Sequence, residues 1–180
     1  MTESVLNTAA LEPLFEPWEE PRAHRVRNPE KGKPALVVNQ RRASPFPIVQ
    51  NLRAELKQWR ESFYVGASDT TRALLTHWFE RPHRMSTPAG DEFEFRYYFC
   101  QREAIEALVY LKEVRRIDCL SSLVSEFEGP SREQAALGIT PEEDTWTRFA
   151  FKLATGAGKT KVMSLAIAWS YFHALRESES

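Results

Sequence analysis

The residues best equipped for chemistry are Ala154-Thr155-Gly156-Ala157-Gly158-Lys159-Thr160. Glycines at 156 and 158 let backbone N–H groups turn inward and approach anionic oxygens with no Cβ in the way. A helix starting at Lys159 adds the partial positive charge of its N-terminus. Lys159 reaches the β and γ phosphates of a nucleoside triphosphate as a point charge. Thr160 offers a hydroxyl ligand to Mg²⁺, an ion that keeps several waters and takes few protein oxygens. Thr155 and Ala157 complete the backbone cradle. A plainer use of the same residues is a glycine turn capping a buried helix, with a chance lysine. Against it stands the context, an apolar run Phe149-Ala150-Phe151-Lys152-Leu153 that predicts a short strand before the loop. Val162, Leu165, Ala166, Trp169 and Phe172 after it predict a long helix to about Glu177. The loop departs from G-x-x-x-x-G-K-[ST] in one place: Leu153 stands where the first glycine belongs.

A second candidate is Gln101, within Phe99-Cys100-Gln101-Arg102-Glu103-Ala104-Ile105-Glu106. Its amide carries an acceptor and two donors, which suits the N6 and N7 edge of adenine. Alone, it reads better as an ordinary residue at a helix start; paired with the loop, the balance reverses. Elsewhere no serine sits in a G-x-S-x-G elbow, and Cys100 and Cys119 form neither a C-x-x-C pair nor a zinc spacing with the four histidines. His77 and His83 read as surface residues near a helix end.

A loop of the form A-T-G-x-G-K-T without the first glycine resembles motif I of superfamily 2 helicases and translocases. The stretch 99 to 106 resembles the adenine-recognising Q motif of the restriction-enzyme branch. Leu14-Phe15-Glu16-Pro17-Trp18-Glu19-Glu20-Pro21 is similar to the proline-rich opening of the restriction (Res) subunits of type III restriction endonucleases. The resemblance implies an α/β fold, the start of a RecA-like P-loop motor domain preceded by a mostly helical extension. It also implies ATP and Mg²⁺ as cofactors, DNA as partner, a possible methyltransferase or modification subunit, and ATP hydrolysis coupled to translocation. Gln101 would then read adenine, residues 155 to 160 would hold the phosphates, and Lys159 and Thr160 would serve catalysis.

The family's ATPase also needs an Asp-Glu box on a second strand and arginines from a second RecA-like domain. Glu142-Glu143-Asp144 precedes the loop, follows Pro141 and has no apolar strand before it, so it reads as a solvated turn. Only twenty residues follow Thr160. The chain is therefore expected to be the beginning of a longer protein and to lack turnover by itself. The competing reading is a P-loop binding or assembly module without turnover; a small-molecule kinase fits the loop less well.

The elements that must position these residues follow from periodicity. Residues 13 to 47 are proline-rich, with one short edge strand at Ala35 to Val38. Val49, Leu52, Leu56, Trp59 and Phe63 share a helical face, and Arg53, Lys57 and Arg60 line another. A second helix starts near Ser68-Asp69, buries Leu74, Leu75 and Trp78, and ends before Pro82. Ser86 to Gly90 is a turn. Phe93, Phe95, Tyr97 and Phe99 alternate as in an extended segment, for which packing is a better use than base stacking. From about Gln101 the period becomes helical through Ala104, Ile105, Leu108 and Leu111. Residues 117 to 147 read as an insertion with a helix around Leu120 to Phe127. Two parts result: an extension over 1 to 92 and an incomplete motor domain over 93 to 180.

Composition bounds the remaining possibilities. At 180 residues, with 42% hydrophobic and 27% charged residues, the chain can build one ordinary core and is not a disordered polymer. The longest apolar stretch, Val162 to Leu175, is interrupted by Ser164, Ser170 and His173 and is too short for a bilayer, and no signal peptide opens the chain. A soluble, cytoplasmic protein is expected. The net charge of −1 is unevenly spread: residues 1 to 21 hold five acids and no base, whereas 22 to 60 hold ten bases and two acids. The Arg53, Lys57, Arg60 stripe therefore has two uses open to it. It can follow a phosphate backbone, or it can dock the extension onto acids such as Glu103 and Glu106.

Overall fold

Pro47 opens the first long helix, where its missing N–H removes a donor that the first turn leaves unpaired anyway. That helix, α1 (Pro47–Glu61), belongs to the larger of two compact units, which divide between Arg42 and Ala43. The computed structural model describes residues 13–30, 33, 35–128 and 149–177. In the smaller unit, β1 (His24–Val26) pairs antiparallel with β2 (Leu36–Val38), with Arg25 opposite Val37. The expected edge strand is thus real, and its partner comes from a basic stretch whose sequence carries no strand period.

The larger unit continues with α2 (Asp69–Phe79), the hairpin β3 (His83–Ser86) and β4 (Glu92–Phe95), and α3 (Phe99–Val109), which runs into a π turn at Tyr110–Val114. Two further helices follow, α4 (Leu120–Glu128) and α5 (Lys159–Glu177). The Ser68 hydroxyl accepts the Thr71 N–H and caps α2, as its residue type predicts. In the hairpin His83 lies opposite Phe95 and Ser86 opposite Glu92, closed by a turn in which the Gly90 N–H donates to the Thr87 carbonyl. Among the described residues both sheets are two-stranded and antiparallel, and Phe149 to Leu153 form no strand. An extended segment becomes a strand only when a neighbour takes its backbone N–H and C=O groups. No described segment does so for 149 to 153.

The core draws Leu56 and Trp59 from α1, Leu75 and Trp78 from α2, Ile105 and Val109 from α3, and Val162, Leu165 and Trp169 from α5. Helices α1 and α2, assigned from sequence to the extension, therefore share one core with α3 and α5. On the opposite side of α5, Met163, Ile167, Tyr171 and Leu175 are exposed at successive four-residue steps. No described helix is long and apolar enough to cross a membrane.

At the centre lies a carboxylate. Glu106 is 0% exposed, yet it accepts hydrogen bonds from Arg60 Nε and Nη2 (3.0 and 2.5 Å), from Arg102 Nε (2.7 Å) and from the Tyr64 hydroxyl (2.7 Å). Arg102 Nη2 also donates to the Tyr64 hydroxyl and to Glu80. Charge buried at this depth is tolerable only with such a set of partners. The network explains two departures from the helical period. Phe63 was expected on the buried face of α1, but α1 ends at Glu61, and Phe63 and Tyr64 both take left-handed backbone, with φ of 55° and 60°. That turn carries Tyr64 inward, against the Trp59 ring at 4.8 Å and onto Glu106, and leaves Phe63 84% exposed. The basic stripe is likewise turned to α3: Arg60 binds Glu106, and Arg53 approaches Glu103 at 3.5 Å. Of the three, Lys57 is exposed. Phe99, counted in the alternating segment, begins α3 instead.

Removing Arg60 withdraws two of the donors that hold a buried charge, so Arg60→Ala is expected to cost about 3–5 kcal/mol. Arg53→Ala breaks a longer pair nearer to solvent and is expected to cost below about 1 kcal/mol. Urea unfolding of both variants checks the order, and equal costs would show that Glu106 is not the anchor between α1 and α3. Burial first, then the Glu106 charge, pushes the Tyr64 phenol well above its ordinary value. The folded state therefore keeps a proton that the unfolded chain releases near about pH 10, so this stability is whole below that pH and is lost as pH climbs toward the raised value. Tyr64→Phe is expected to lose less stability than the parent between about pH 9 and about pH 11, measured by denaturation across that range.

Candidate nucleotide-binding site

Helix α5 presents the loop. Its buried side, Val162, Leu165 and Trp169, fixes it in the core, and the Trp169 indole N–H donates to the Thr71 hydroxyl of α2 at 2.9 Å. With the helix axis held, its first turn places Lys159 and Thr160 at the surface, both exposed, beside the loop. The loop itself turns on two left-handed glycines, Gly156 at φ 80° and Gly158 at φ 73°. The Ala157 N–H donates to the Ala154 carbonyl at 3.2 Å, and the Gly158 carbonyl accepts the N–H groups of Lys161 and Val162 to start the helix. The Lys159 ammonium folds back to donate to the Ala154 carbonyl at 3.1 Å. Its position is that of a cation resting on a neutral acceptor.

Gln101 comes to the same place. Its Nε2 donates to the Ala157 carbonyl at 2.9 Å across 56 residues of chain, while its Oε1 accepts the Tyr98 N–H at 3.1 Å. The first contact ties α3 to the loop, and the second satisfies a donor at the α3 N-terminus. Gln101 is 4% exposed. Its expected use against adenine meets competition, because one donor and one acceptor of the amide already serve the fold. The reach is close: a Cβ on Gly158 would collide with Gln101 Nε2. Gly158 is therefore required twice, by its backbone angle and by the amide beside it.

The structure thus brings Gln101, Ala157 and Gly158 into contact and sets Thr155, Gly156, Lys159 and Thr160 on the exposed side of the same loop. Among the described residues no group of three His, Cys, Asp or Glu side chains is placed to hold a metal. Thr160, the residue expected to meet Mg²⁺, has its side chain exposed on this loop. Lys161 lies with Nζ 5.3 Å from the centre of the Phe95 ring, adding a second cation near the loop. Phe95 and Tyr97 pack edge to face at 4.9 Å, and Tyr97 meets Phe79 at 5.6 Å, so these aromatics are used in packing. His83 is part of that cluster, and its ring contacts His77 at 5.1 Å. Glu142-Glu143-Asp144 lies outside the described residues.

The sequence reading named Glu106 as a partner for the basic stripe but missed Tyr64 and Arg102 as its other partners, and it missed Gln101 as a contact of the loop. A signal existed for Arg102, since Arg102 and Glu106 are four residues apart on one helix. Comparison with protein-family models, curated proteins and solved structures finds no match to this chain.

The two loop glycines separate strain from crowding. Gly156→Ala meets nothing within 4 Å and is expected to cost only the left-handed penalty, about 1 kcal/mol. Gly158→Ala carries the same penalty and also displaces the Gln101 amide from its bond, adding about 1 kcal/mol. Chemical denaturation of the two variants side by side checks the ranking; a costlier Gly156→Ala would contradict it.

Proposed function

We propose that residues 154 to 160 bind ATP with Mg²⁺, and that the chain is the nucleotide-binding part of an ATP-dependent DNA helicase or translocase akin to type III restriction subunits. In this reading it acts in the cytoplasm, with DNA and a modification methyltransferase as partners. One observation carries the nucleotide half: the loop and the glutamine segment, singled out separately in the sequence, meet through the bond from Gln101 Nε2 to Ala157 O. The motor half rests on the resemblance of residues 99 to 106 and 153 to 160.

The chain's own groups define the binding step. Loop N–H groups on left-handed glycines face an incoming phosphate, and the α5 N-terminus adds its dipole. Lys159 exchanges the neutral Ala154 carbonyl for phosphate oxygens, and a hydrogen bond between charged partners is roughly twice as strong as a neutral one. Mg²⁺ would neutralise charge between the β and γ phosphates, with the Thr160 hydroxyl as one ligand. Steps beyond binding need groups that orient the attacking water.

Calorimetric titration of the chain with Mg-ATP is expected to show binding that Lys159→Ala weakens about 10- to 100-fold, the value of one hydrogen bond to a charged group. Unchanged affinity in that variant rules the assignment out. Steady-state assays of the same chain are expected to show no Lys159-dependent hydrolysis, and such hydrolysis would favour a self-sufficient ATPase.

A further inference from the structure

Gln101 has one task visible in the fold. Its amide is buried, spans from the α3 N-terminus to the loop, and uses Oε1 on Tyr98 and Nε2 on Ala157. The base of α3 beneath it is anchored by Arg102 and Glu106, one and five residues further on, through bonds to Arg60, Tyr64 and Glu80. The first turn of α3 is thus a rigid platform. A donor fixed on such a platform holds the carbonyl it binds, so the Ala157 peptide plane is set, and with it the direction of the following Gly158 N–H. Gly158 has no Cβ, which leaves room for the amide to lie against it.

Resting on the reading of 154 to 160 as a phosphate loop, we infer that Gln101 is a positioning residue that braces the loop for phosphate rather than a reader of the base. It acts through Ala157, and its worth is common to every ligand that carries a triphosphate. Any preference for adenine falls to other residues. The two roles differ in what they couple to. A brace changes the affinity for ATP, GTP and inorganic tripolyphosphate by one factor, whereas a base reader changes ATP alone.

The test uses the full 180-residue chain with Mg-ATP, Mg-GTP and Mg-tripolyphosphate, in the parent, Gln101→Ala and Gln101→Met. Methionine keeps the length and neutrality of the side chain and lacks the donor to Ala157, so it remains informative where the cavity left by alanine loosens the helix start. Both variants are expected to lose about tenfold for all three ligands, with the ratio of ATP to tripolyphosphate affinity unchanged within about twofold. Amide hydrogen exchange without ligand is expected to quicken about tenfold over 154 to 160 while the amides of α2 keep their rates, a local change that general destabilisation would not give. A variant that loses ATP but keeps tripolyphosphate, or that leaves loop exchange unaltered, overturns the inference. Tripolyphosphate affinity that is indifferent to Lys159→Ala instead overturns the phosphate-loop reading beneath it.

Discussion

A carboxylate with no solvent exposure must be met by its own protein, and Glu106 is met from three directions. Arg60 reaches it from α1, Tyr64 from the turn after α1, and Arg102 from its own helix. Each partner then fixes something else. Arg60 sets the rotation of α1 against α3, Tyr64 forces the left-handed turn that ends α1, and Arg102 extends the network to Glu80 at the end of α2. Because an unmet charge here would cost several kcal/mol, the three contacts stand or fall together, and the start of α3 inherits their rigidity. The hydrophobic residues around them supply most of the driving force, but they are compatible with many small rotations. The ionic network selects one.

What the sequence made legible was what short-range pattern can encode. The helix over Pro47–Glu61 follows from apolar steps of three and four, and α2 from its Ser68 cap, its apolar Leu74, Leu75 and Trp78, and Pro82 beyond. α4 appeared within one residue of its expected end. Less legible was anything decided by a distant partner. Phe63 and Tyr64 are adjacent aromatics, and helical period favours Phe63; a hydroxyl that reaches Glu106, 42 residues away, reverses the choice. β1 and β3 had no period of their own and exist because β2 and β4 pair with them. Residues 149 to 153 show the converse, a strand-like composition without a described neighbour.

The candidate site divides the same way. Loop composition alone pointed to Gly156, Gly158, Lys159 and Thr160, because left-handed backbone and a cation at a helix start are local properties. Gln101 was found for its residue type and neighbours, yet its contact with Ala157 depends on α3 packing against α5, which no local pattern announces. The basic stripe is a further instance. Charge spacing on α1 leaves both DNA contact and docking open, and the positions of Glu103 and Glu106 on α3 turn Arg53 and Arg60 toward docking.

The π turn at Tyr110–Val114 is an α-helix carrying one residue too many. One residue is about 100° of helical rotation, so every side chain after the insertion points elsewhere than an uninterrupted helix would send it. Glu113 owes its aim to that offset: its carboxylate accepts the Ser68 N–H and the Thr71 hydroxyl, and so satisfies two donors at the start of α2. A chain shorter by one residue in this turn would have the more regular helix and would swing another side chain toward α2. Regularity has been given up here for direction, and the length of this segment is as much a determinant of the fold as the identity of its residues.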